Sequence, residues 1–211
     1  MNAAPDHHLI ERRLGGRTLL DGGFLELCRD DVSLPDGSLA TREFICHGGA
    51  VAVVPMLDDG GLVLVRQYRY PLSKVLLEFP AGKRDAGEST LACAKRELRE
   101  ETGYTAREWA YGGELHNAAA YSTESIWIWF ARGLVGGPRQ LDEGEFVETV
   151  LMTPQQLLAL DGNDDLPDAK TLIGLPWLGQ RLAGARPWNW MAAQQARDPE
   201  SVSLRAGRAK P

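Results

Sequence analysis

Three glutamates in the charged stretch from Phe79 to Tyr104 are the side chains whose type and spacing most clearly suit a chemical function. The segment from Glu88 to Thr102 has a helical pattern, and Glu97, Glu100 and Glu101 lie near its end. At about 100° per residue, their carboxylates share one arc of the helix that is about 100° wide. The arc adjoins an apolar stripe, which consists of Leu91, Ala94 and Leu98.

Two interpretations of this arc are open from its geometry alone. Like charges spaced four residues apart destabilise a helix by about 0.2–0.5 kcal/mol per pair, and a solvated face would carry that cost. A hard divalent cation would offset the repulsion, because Mg²⁺ binds carboxylate oxygens together with water and substrate phosphates. Arg96 can hold the Glu100 carboxylate four residues on, whereas Lys95 and Arg99 turn to the far side.

The loop before the helix decides between these interpretations. Five residues separate Gly82 from Glu88, and seven separate Glu88 from Arg96-Glu97-Leu98. The pairs Glu100-Glu101 and Gly103-Tyr104 follow, each after one intervening residue. This spacing resembles the signature of the Nudix hydrolases at every fixed position. Seven identities at fixed spacing arise by chance in well under about one in a million sequences of average composition. The resemblance therefore favours a cation site.

The resemblance to the Nudix hydrolases implies a fold, a reaction and a set of residues. These enzymes cleave a nucleoside diphosphate linked to another group, use Mg²⁺ or Mn²⁺, and form an α/β/α sandwich with a loop–helix–loop signature. A bound cation neutralises the diphosphate and activates water. The implied metal ligands are the backbone carbonyl of Ala81 and the catalytic carboxylates of Glu97, Glu100 and Glu101. The implied structural residues of the signature are Gly82, Glu88, Arg96 and Gly103.

Further stretches of the chain resemble the ADP-ribose pyrophosphatase branch of that family. They are VRQYRYP at 65–71, LEFPAGK at 77–83 and a small sheet before the core, so the resemblance covers roughly residues 22–182. The branch implies hydrolysis of ADP-ribose to AMP and ribose 5-phosphate, and a homodimer formed through the small sheet. The alternatives are another nucleotide sugar such as GDP-mannose, or a non-catalytic ADP-ribose sensor.

An acidic loop, Leu141-Asp142-Glu143-Gly144-Glu145, follows the predicted sheet. In the resembling branch the proton acceptor lies in such a loop. By position Glu143 is the implied general base and Glu145 an implied further metal ligand. An exposed acidic turn is the other interpretation of the same residues.

Four residues are candidates for contact with substrate. Arg66 and Arg69 could bind phosphate through their guanidinium groups, although three residues apart on a strand they point to opposite faces. Glu124 could meet a sugar hydroxyl or be a charge at a strand edge, and Tyr121 could stack on a base or pack. The branch usually carries a proline where this chain has Ala118-Ala119-Ala120-Tyr121, which leaves the sugar open.

The elements that position these residues are predicted from local patterns. Two strands flank the turn Pro35-Asp36-Gly37, after a loose lead-in up to about residue 18. Two β-branched runs around residues 58–61 predict a hairpin, and IWIWF at 126–130 alternates with period two. Thr153 and Asp168 are N-cap residues of two later helices, the second kinked or interrupted at Pro176.

These elements indicate an α+β fold, a Nudix α/β/α sandwich with a mixed sheet and a small N-terminal antiparallel sheet. We divide the chain into residues 1–47, the lead-in and dimerisation sheet; residues 48–185, the hydrolase domain; and residues 186–211, a polar and frayed tail.

Composition sets further limits. The 211 residues carry a net charge of −6, which argues against a nucleic-acid binder because such proteins present a basic patch. Three cysteines without a CxxC pair suggest neither a disulfide framework nor a zinc site, and Cys93 is predicted to be buried. With neither a signal peptide nor a membrane span visible, we expect a cytoplasmic protein.

Overall fold

The computed structural model describes residues 6–160 and 168–194. The chain forms two compact units, one from residues 1–48 with 118–124 and one from residues 49–117 with 125–211. In the described part of the chain, no helix has the length and apolar character needed to cross a membrane.

The N-terminal unit contains a three-stranded antiparallel sheet of order β1-β2-β3. Its strands are β1 (Arg12–Asp21), β2 (Glu26–Ser33) and β3 (Leu39–Cys46). The turn predicted at Pro35-Asp36-Gly37 joins β2 to β3, with Gly37 at a φ of 86°. The prediction of a loose lead-in up to residue 18 is wrong from Arg12 onward. Strand β1 owes its form to pairing with β2 along its whole length, and its own sequence has no alternating pattern.

Two of the three cysteines are paired in this unit. Cys28 lies on β2 opposite Phe44, two residues from Cys46 on β3, and the two sulfur atoms form a disulfide. Their Cα atoms are 6.4 Å apart, within the range of disulfides. The odd number of cysteines hid this pair, because it is created by strand register. Cys93 is fully buried in the other unit, as predicted.

The second unit is built on a mixed sheet of order β10-β5-β4-β9-β8-β11, with β6 beside β5 and β7 beside β4. Strands β4 and β9 are parallel and the other pairs are antiparallel. The strands are β4 (Ala50–Met56), β5 (Leu62–Arg69), β6 (Lys74–Glu78), β7 (Ala81–Lys83), β8 (Tyr104–Leu115), β9 (Ile126–Gly136), β10 (Val147–Met152) and β11 (Met191–Ala192). The helices are α1 (Thr90–Thr102), α2 (Pro154–Leu160) and α3 (Ala169–Leu182), with a 3-10 turn at Tyr70–Leu72.

The two faces of this sheet carry separate cores. On β9, Ile126, Ile128 and Phe130 join the core that includes α2 and α3 residues. Trp127 and Trp129 join the opposite core, which includes α1 residues. This alternation confirms the period-two prediction for IWIWF and gives the α/β/α arrangement that the sequence predicted.

The predicted hairpin between β4 and β5 forms only at its turn. Met56 and Leu62 pair, but the rest of β4 pairs with β7 and β9, and β5 pairs with β6 and β10. Local pattern could not reveal this, because partner choice depends on distant strands. The consequence matters for the site, since β7 carries Ala81 and Gly82 against the first core strand.

The caps of the later helices agree with the predictions, and Thr153 accepts a hydrogen bond from Gln156 N at 3.1 Å before α2. The first helix begins two residues later than the predicted Glu88, and its cap, which was not predicted, is Ser89, which accepts from Ala92 N at 3.2 Å. Asp168 caps α3, as predicted, but the predicted interruption at Pro176 is wrong. The helix continues because buried Leu175 and Leu178 hold it on the core, which outweighs one missing backbone hydrogen bond.

The segment after α3 is also more ordered than predicted. Trp188 stacks on Trp190 with centroids 4.7 Å apart and meets Phe130 edge-on at 5.4 Å. Strand β11 then pairs with Trp109 and Glu108 of β8. The predicted frayed tail is therefore wrong up to residue 194, and its remainder, 195–211, lies outside the described residues.

Candidate active site

Helix α1 holds the signature glutamates in a fixed orientation. Its apolar stripe, Leu91, Ala94 and Leu98, is buried against the sheet. The helix ends at Gly103, whose φ of 77° suits glycine, and a Cβ there would overlap the carbonyl oxygen of Gly137. Arg99 is exposed, as predicted, but Lys95 does not simply face solvent. Its ammonium donates a hydrogen bond of 2.6 Å to the carbonyl of Ala193.

The carboxylates lie at the border of the core, as the helical arc predicted. Glu97 is 8% exposed and Glu101 is 2% exposed. Burial raises the pKa of Glu101 to about 8, and the nearby charges of Glu97 and Glu145 add to the rise. Burial also raises the pKa of Glu97 to about 7, and Arg96 only partly offsets it. Crowded carboxylates short of positive charge form a set that a cation would stabilise.

Arg96 ties the signature loop to the helix. Its guanidinium contacts Glu88 at 2.9 Å, Glu97 at 2.6 Å and Glu100 at 3.0 Å. It also donates to the carbonyl oxygen of Lys83 at 3.1 Å. Glu88 in turn accepts from the Asp85 amide at 3.2 Å. Arg96 therefore fixes the loop and two of the carboxylates at once.

Strand β7 brings the backbone against the carboxylates. The Ala81 amide donates to Glu101 at 3.0 Å, so Ala81 lies beside the cluster. Gly82 is packed on Glu97 so closely that a Cβ at residue 82 would overlap that carboxylate. The oxygen donors that converge here suit a hard divalent cation such as Mg²⁺.

Within the acidic loop, the structure distinguishes the two candidate glutamates. Glu145 accepts a hydrogen bond from the Gln67 amide at 3.3 Å and lies close enough to raise the pKa values of Glu97 and Glu101. Glu143 is exposed at the tip of the turn. The charge of Glu145 therefore acts on the cluster, whereas the Glu143 side chain is exposed to solvent.

The two arginines of β5 point to opposite faces, as their spacing predicted. Arg66 pairs with Glu148 at 2.7 Å on an exposed surface. Arg69 binds Glu78 through two hydrogen bonds of 2.7 and 2.6 Å. The hydrogen bonds to Glu78 raise the pKa of Arg69, and the charge of Glu101 adds to the rise.

The sequence reasoning missed a set of charges behind Arg69. Glu78 is buried at the end of β6, and Lys170 and Asp168 at the start of α3 complete a network with it. One signal was available, because Glu78 is an acidic residue in the apolar stretch LLEFP. Lys170 gave no local signal, since its partner lies 92 residues away.

Tyr121 and Glu124 belong to the other compact unit. Tyr121 is exposed, and its backbone carbonyl accepts a hydrogen bond from Ile45 N at 2.8 Å. Glu124 lies 3.7 Å from His47. Within that unit, the segment with the three alanines is thus fixed to β3 by backbone pairing.

Comparison with known proteins assigns this arrangement to a class. The NUDIX domain model matches residues 47–173. The chain is 36% identical over 172 residues to an ADP-ribose pyrophosphatase of Bacillus subtilis strain 168, covering 81% of this chain and 93% of that protein. It is 35% identical over 170 residues to a methanol dehydrogenase activator of Bacillus methanolicus, covering 80% and 92%.

A solved structure gives the same assignment. The crystal structure of an ADP compounds hydrolase matches with a TM-score of 0.75 and 26% identity, over 84% of this chain and 97% of that one. The chain therefore belongs to the Nudix family, and its signature is the loop and helix from Gly82 to Tyr104. Members of the family are hydrolases that act with divalent metals.

Proposed function

We propose that this Nudix hydrolase cleaves the diphosphate of ADP-ribose and releases AMP and ribose 5-phosphate. The observation that carries the proposal is the pair of buried carboxylates on α1, Glu97 and Glu101, with the Ala81 amide bound to Glu101 and Gly82 packed on Glu97. The likeness to a bacterial ADP-ribose pyrophosphatase over 93% of its length supports the choice of substrate.

We propose Mg²⁺ as the cofactor, with Mn²⁺ as a substitute. The carbonyl of Ala81 and the carboxylates of Glu97, Glu100, Glu101 and Glu145 are the groups that would hold it. When bound, a divalent cation supplies charge neutralisation at the diphosphate and activation of water. The raised pKa values of Glu97 and Glu101 indicate that their ionised forms lack compensating positive charge in the metal-free protein, and a bound cation would supply it.

The protein residues then have separate tasks. Glu143 is the proposed general base, which takes the proton of the attacking water. A phosphorus–oxygen bond forms to that water and the bond to the bridging oxygen breaks, so that each product carries one phosphate. Arg69 binds a phosphate oxygen and compensates its charge. Arg66, Tyr121 and Glu124 are proposed as further contacts with the substrate.

One observation favours a second candidate substrate. The segment Ala118-Ala119-Ala120-Tyr121 lacks the proline expected in the resembling branch. A different loop could admit another nucleotide sugar, such as GDP-mannose, with the diphosphate chemistry unchanged. A non-catalytic sensor of ADP-ribose is the remaining alternative, although the signature is complete.

A panel of nucleotide sugars tests these alternatives directly. The protein is incubated with Mg²⁺ and each compound, and the products are identified by mass spectrometry. We expect AMP and ribose 5-phosphate from ADP-ribose at the highest rate. A higher rate with another sugar would replace the first substrate, and tight binding without any turnover would indicate the sensor.

Substitution of single carboxylates tests the assigned roles. Glu100→Gln or Glu101→Gln should lower kcat by about a thousandfold or more while the fold is kept, because a ligand charge is lost. Glu143→Gln should lower kcat strongly through loss of the base. Glu108→Gln, at an exposed ion pair with Arg132, is the control. A near-normal rate of the Glu143 variant would remove it as the base.

We further infer a homodimer formed through the N-terminal sheet and a cytoplasmic location. The sheet carries exposed apolar side chains that a second copy could cover, among them Leu14, Leu20 and Leu39. We expect neither a nucleic-acid nor a membrane partner. Sedimentation of the purified protein and fractionation of the producing cell test these inferences.

A further inference from the structure

A buried network of four charges lies behind the carboxylate cluster. Glu78 is 1% exposed and receives Nε and Nη2 of Arg69 on its two oxygens, at 2.7 and 2.6 Å. The ammonium of Lys170 binds the same oxygen as Nη2. Lys170 also donates to Asp168 at 2.8 Å. Two acids and two cations thus balance in charge, and water reaches three of them poorly, whereas Arg69 is partly exposed.

The network is anchored at the start of α3. Asp168 accepts from the Thr171 amide at 2.9 Å, and the Thr171 hydroxyl accepts from the Phe79 amide at 2.9 Å. Phe79 follows Glu78 directly, so α3 fixes both the backbone and the carboxylate at the end of β6. The side chain of Lys170 is 10% exposed and has little freedom to leave its partners.

Arg69 connects this network to the candidate site. Its partner Glu78 lies three residues before Ala81, whose amide donates to Glu101 at 3.0 Å. The hydrogen bonds to Glu78 raise the pKa of Arg69, and the charge of Glu101 contributes as well. The two bonds to Glu78 use Nε and Nη2, so that within residues 6–160 and 168–194 the Nη1 edge is left for another acceptor. Its side chain is 38% exposed, so a phosphate can reach that edge.

We propose that Lys170 is a positioning residue for substrate binding, which acts through Glu78 on Arg69. Lys170 holds Glu78 from one side so that the guanidinium on the other side is fixed in the orientation that meets a phosphate. Without Lys170, Glu78 has one anchor fewer, and Arg69 must be ordered when the substrate binds, which costs affinity. The inference rests on the proposed function in that the ligand bears a phosphate.

A purely structural role of the network leads to a different expectation. In that case Lys170 would only attach α3 to β6, and its loss would lower stability without a specific effect on ligand affinity. Lys95 offers a matched control, because it is a partly buried lysine whose ammonium donates to Ala193 and, among the described residues, makes no contact with this network.

The test measures ADP-ribose binding by calorimetry in EDTA, so that no turnover occurs. Lys170→Met should weaken binding about tenfold, the effect of one charge-assisted hydrogen bond, whereas Lys95→Met should change it less than about twofold. Lys170→Arg should recover most of the affinity. In an Arg69→Lys background, Lys170→Met should have little further effect, because the two residues act in series.

Several results would overturn the proposal. One is an unchanged affinity of Lys170→Met beside a lowered melting temperature, and another is an equal loss of affinity with and without Arg69. If Lys170→Met does not fold, Asp168→Asn keeps the helix cap and loosens Lys170, and unaltered binding by that variant contradicts the role. Turnover of ADP-ribose by the unmodified protein is measured in parallel with Mg²⁺, and its absence counts against the proposed function alone.

Discussion

Glu97 and Glu101 place two acids on one side of a helix where solvent reaches neither well. Their pKa values of about 7 and about 8 arise from burial first and from neighbouring charge second. Burial makes the ionised form of such a carboxyl group unfavourable, and a bound cation would make it favourable again. The protonation of these two glutamates therefore depends on burial and on neighbouring charges, which the identity of a single residue does not show.

The raised pKa values predict a pH dependence of the metal-free protein. Between about pH 5 and pH 8 the folded state holds protons on Glu97 and Glu101 that the unfolded chain has released. Stability must therefore fall as pH rises through this window. In EDTA, the urea midpoint should be lower at pH 8.5 than at pH 6, and Glu101→Gln should flatten the difference. A midpoint that rises over the same window would contradict the assignment.

Gly82 gives a prediction about close packing. A Cβ at that position would overlap the Glu97 carboxylate, so Gly82→Ala should displace a ligand and reduce kcat at least about a hundredfold. Gly179→Ala is the control, because Gly179 lies in α3 and a Cβ added there would meet open space. That control should be slightly more stable, by up to about 1 kcal/mol, since alanine favours a helix. Equal activity of both variants would exclude the packing argument.

The elements show how local signals fix the orientation of the site. Helix α1 begins at the Ser89 cap and ends at Gly103, and both residues are recognisable in the sequence. Its apolar stripe packs in the core, so the glutamates beside the stripe lie at the border of that core. Strand β7 and the acidic loop have no strong sequence pattern. Strand β7 is positioned by its pairing with β4, and the acidic loop by β10, which follows it and pairs with β5.

The cap of α1 leads to a prediction about stability. Ser89 accepts from the Ala92 amide, so Ser89→Ala should lower the free energy of unfolding by about 1 kcal/mol. Ser89→Asn should retain most of it, because asparagine is an equally good cap. Urea titration measures both variants, with kcat as a second readout. An alanine variant as stable as the asparagine variant would show that the cap contributes little.

The whole molecule combines a sheet covered on both faces with a smaller three-stranded sheet. The small sheet exposes several large apolar side chains, which include Leu14, Leu19, Leu20 and Leu39. A set of this kind on a short sheet is typical of a surface that another chain covers. We infer a homodimer from these exposed side chains.

The inferred dimer can be tested on this surface. Leu20→Asp together with Leu39→Asp should convert the protein to a monomer in analytical ultracentrifugation, because two charges would be buried without partners. Leu151→Asp, an exposed leucine on β10 of the other unit, is the control and should leave the mass unchanged. A monomeric unmodified protein would refute the dimer outright.

The sequence by itself determined the signature, the helix that carries it and the caps of the two later helices. These depend on spacing within a few turns, and local hydrogen bonds and apolar periodicity express them directly. It also determined that Arg66 and Arg69 face opposite ways, since side chains alternate along a strand.

Only the tertiary structure determined which residues from distant segments of the chain come into contact. It exposed Glu143 and brought Glu145 to the side chain of Gln67, paired Cys28 with Cys46, made β1 a strand, and brought Lys170 to Glu78. Each of these results depends on strand register or on the docking of α3. Such contacts are selected by the packing of the whole core, and no window of neighbouring residues contains the information that specifies them.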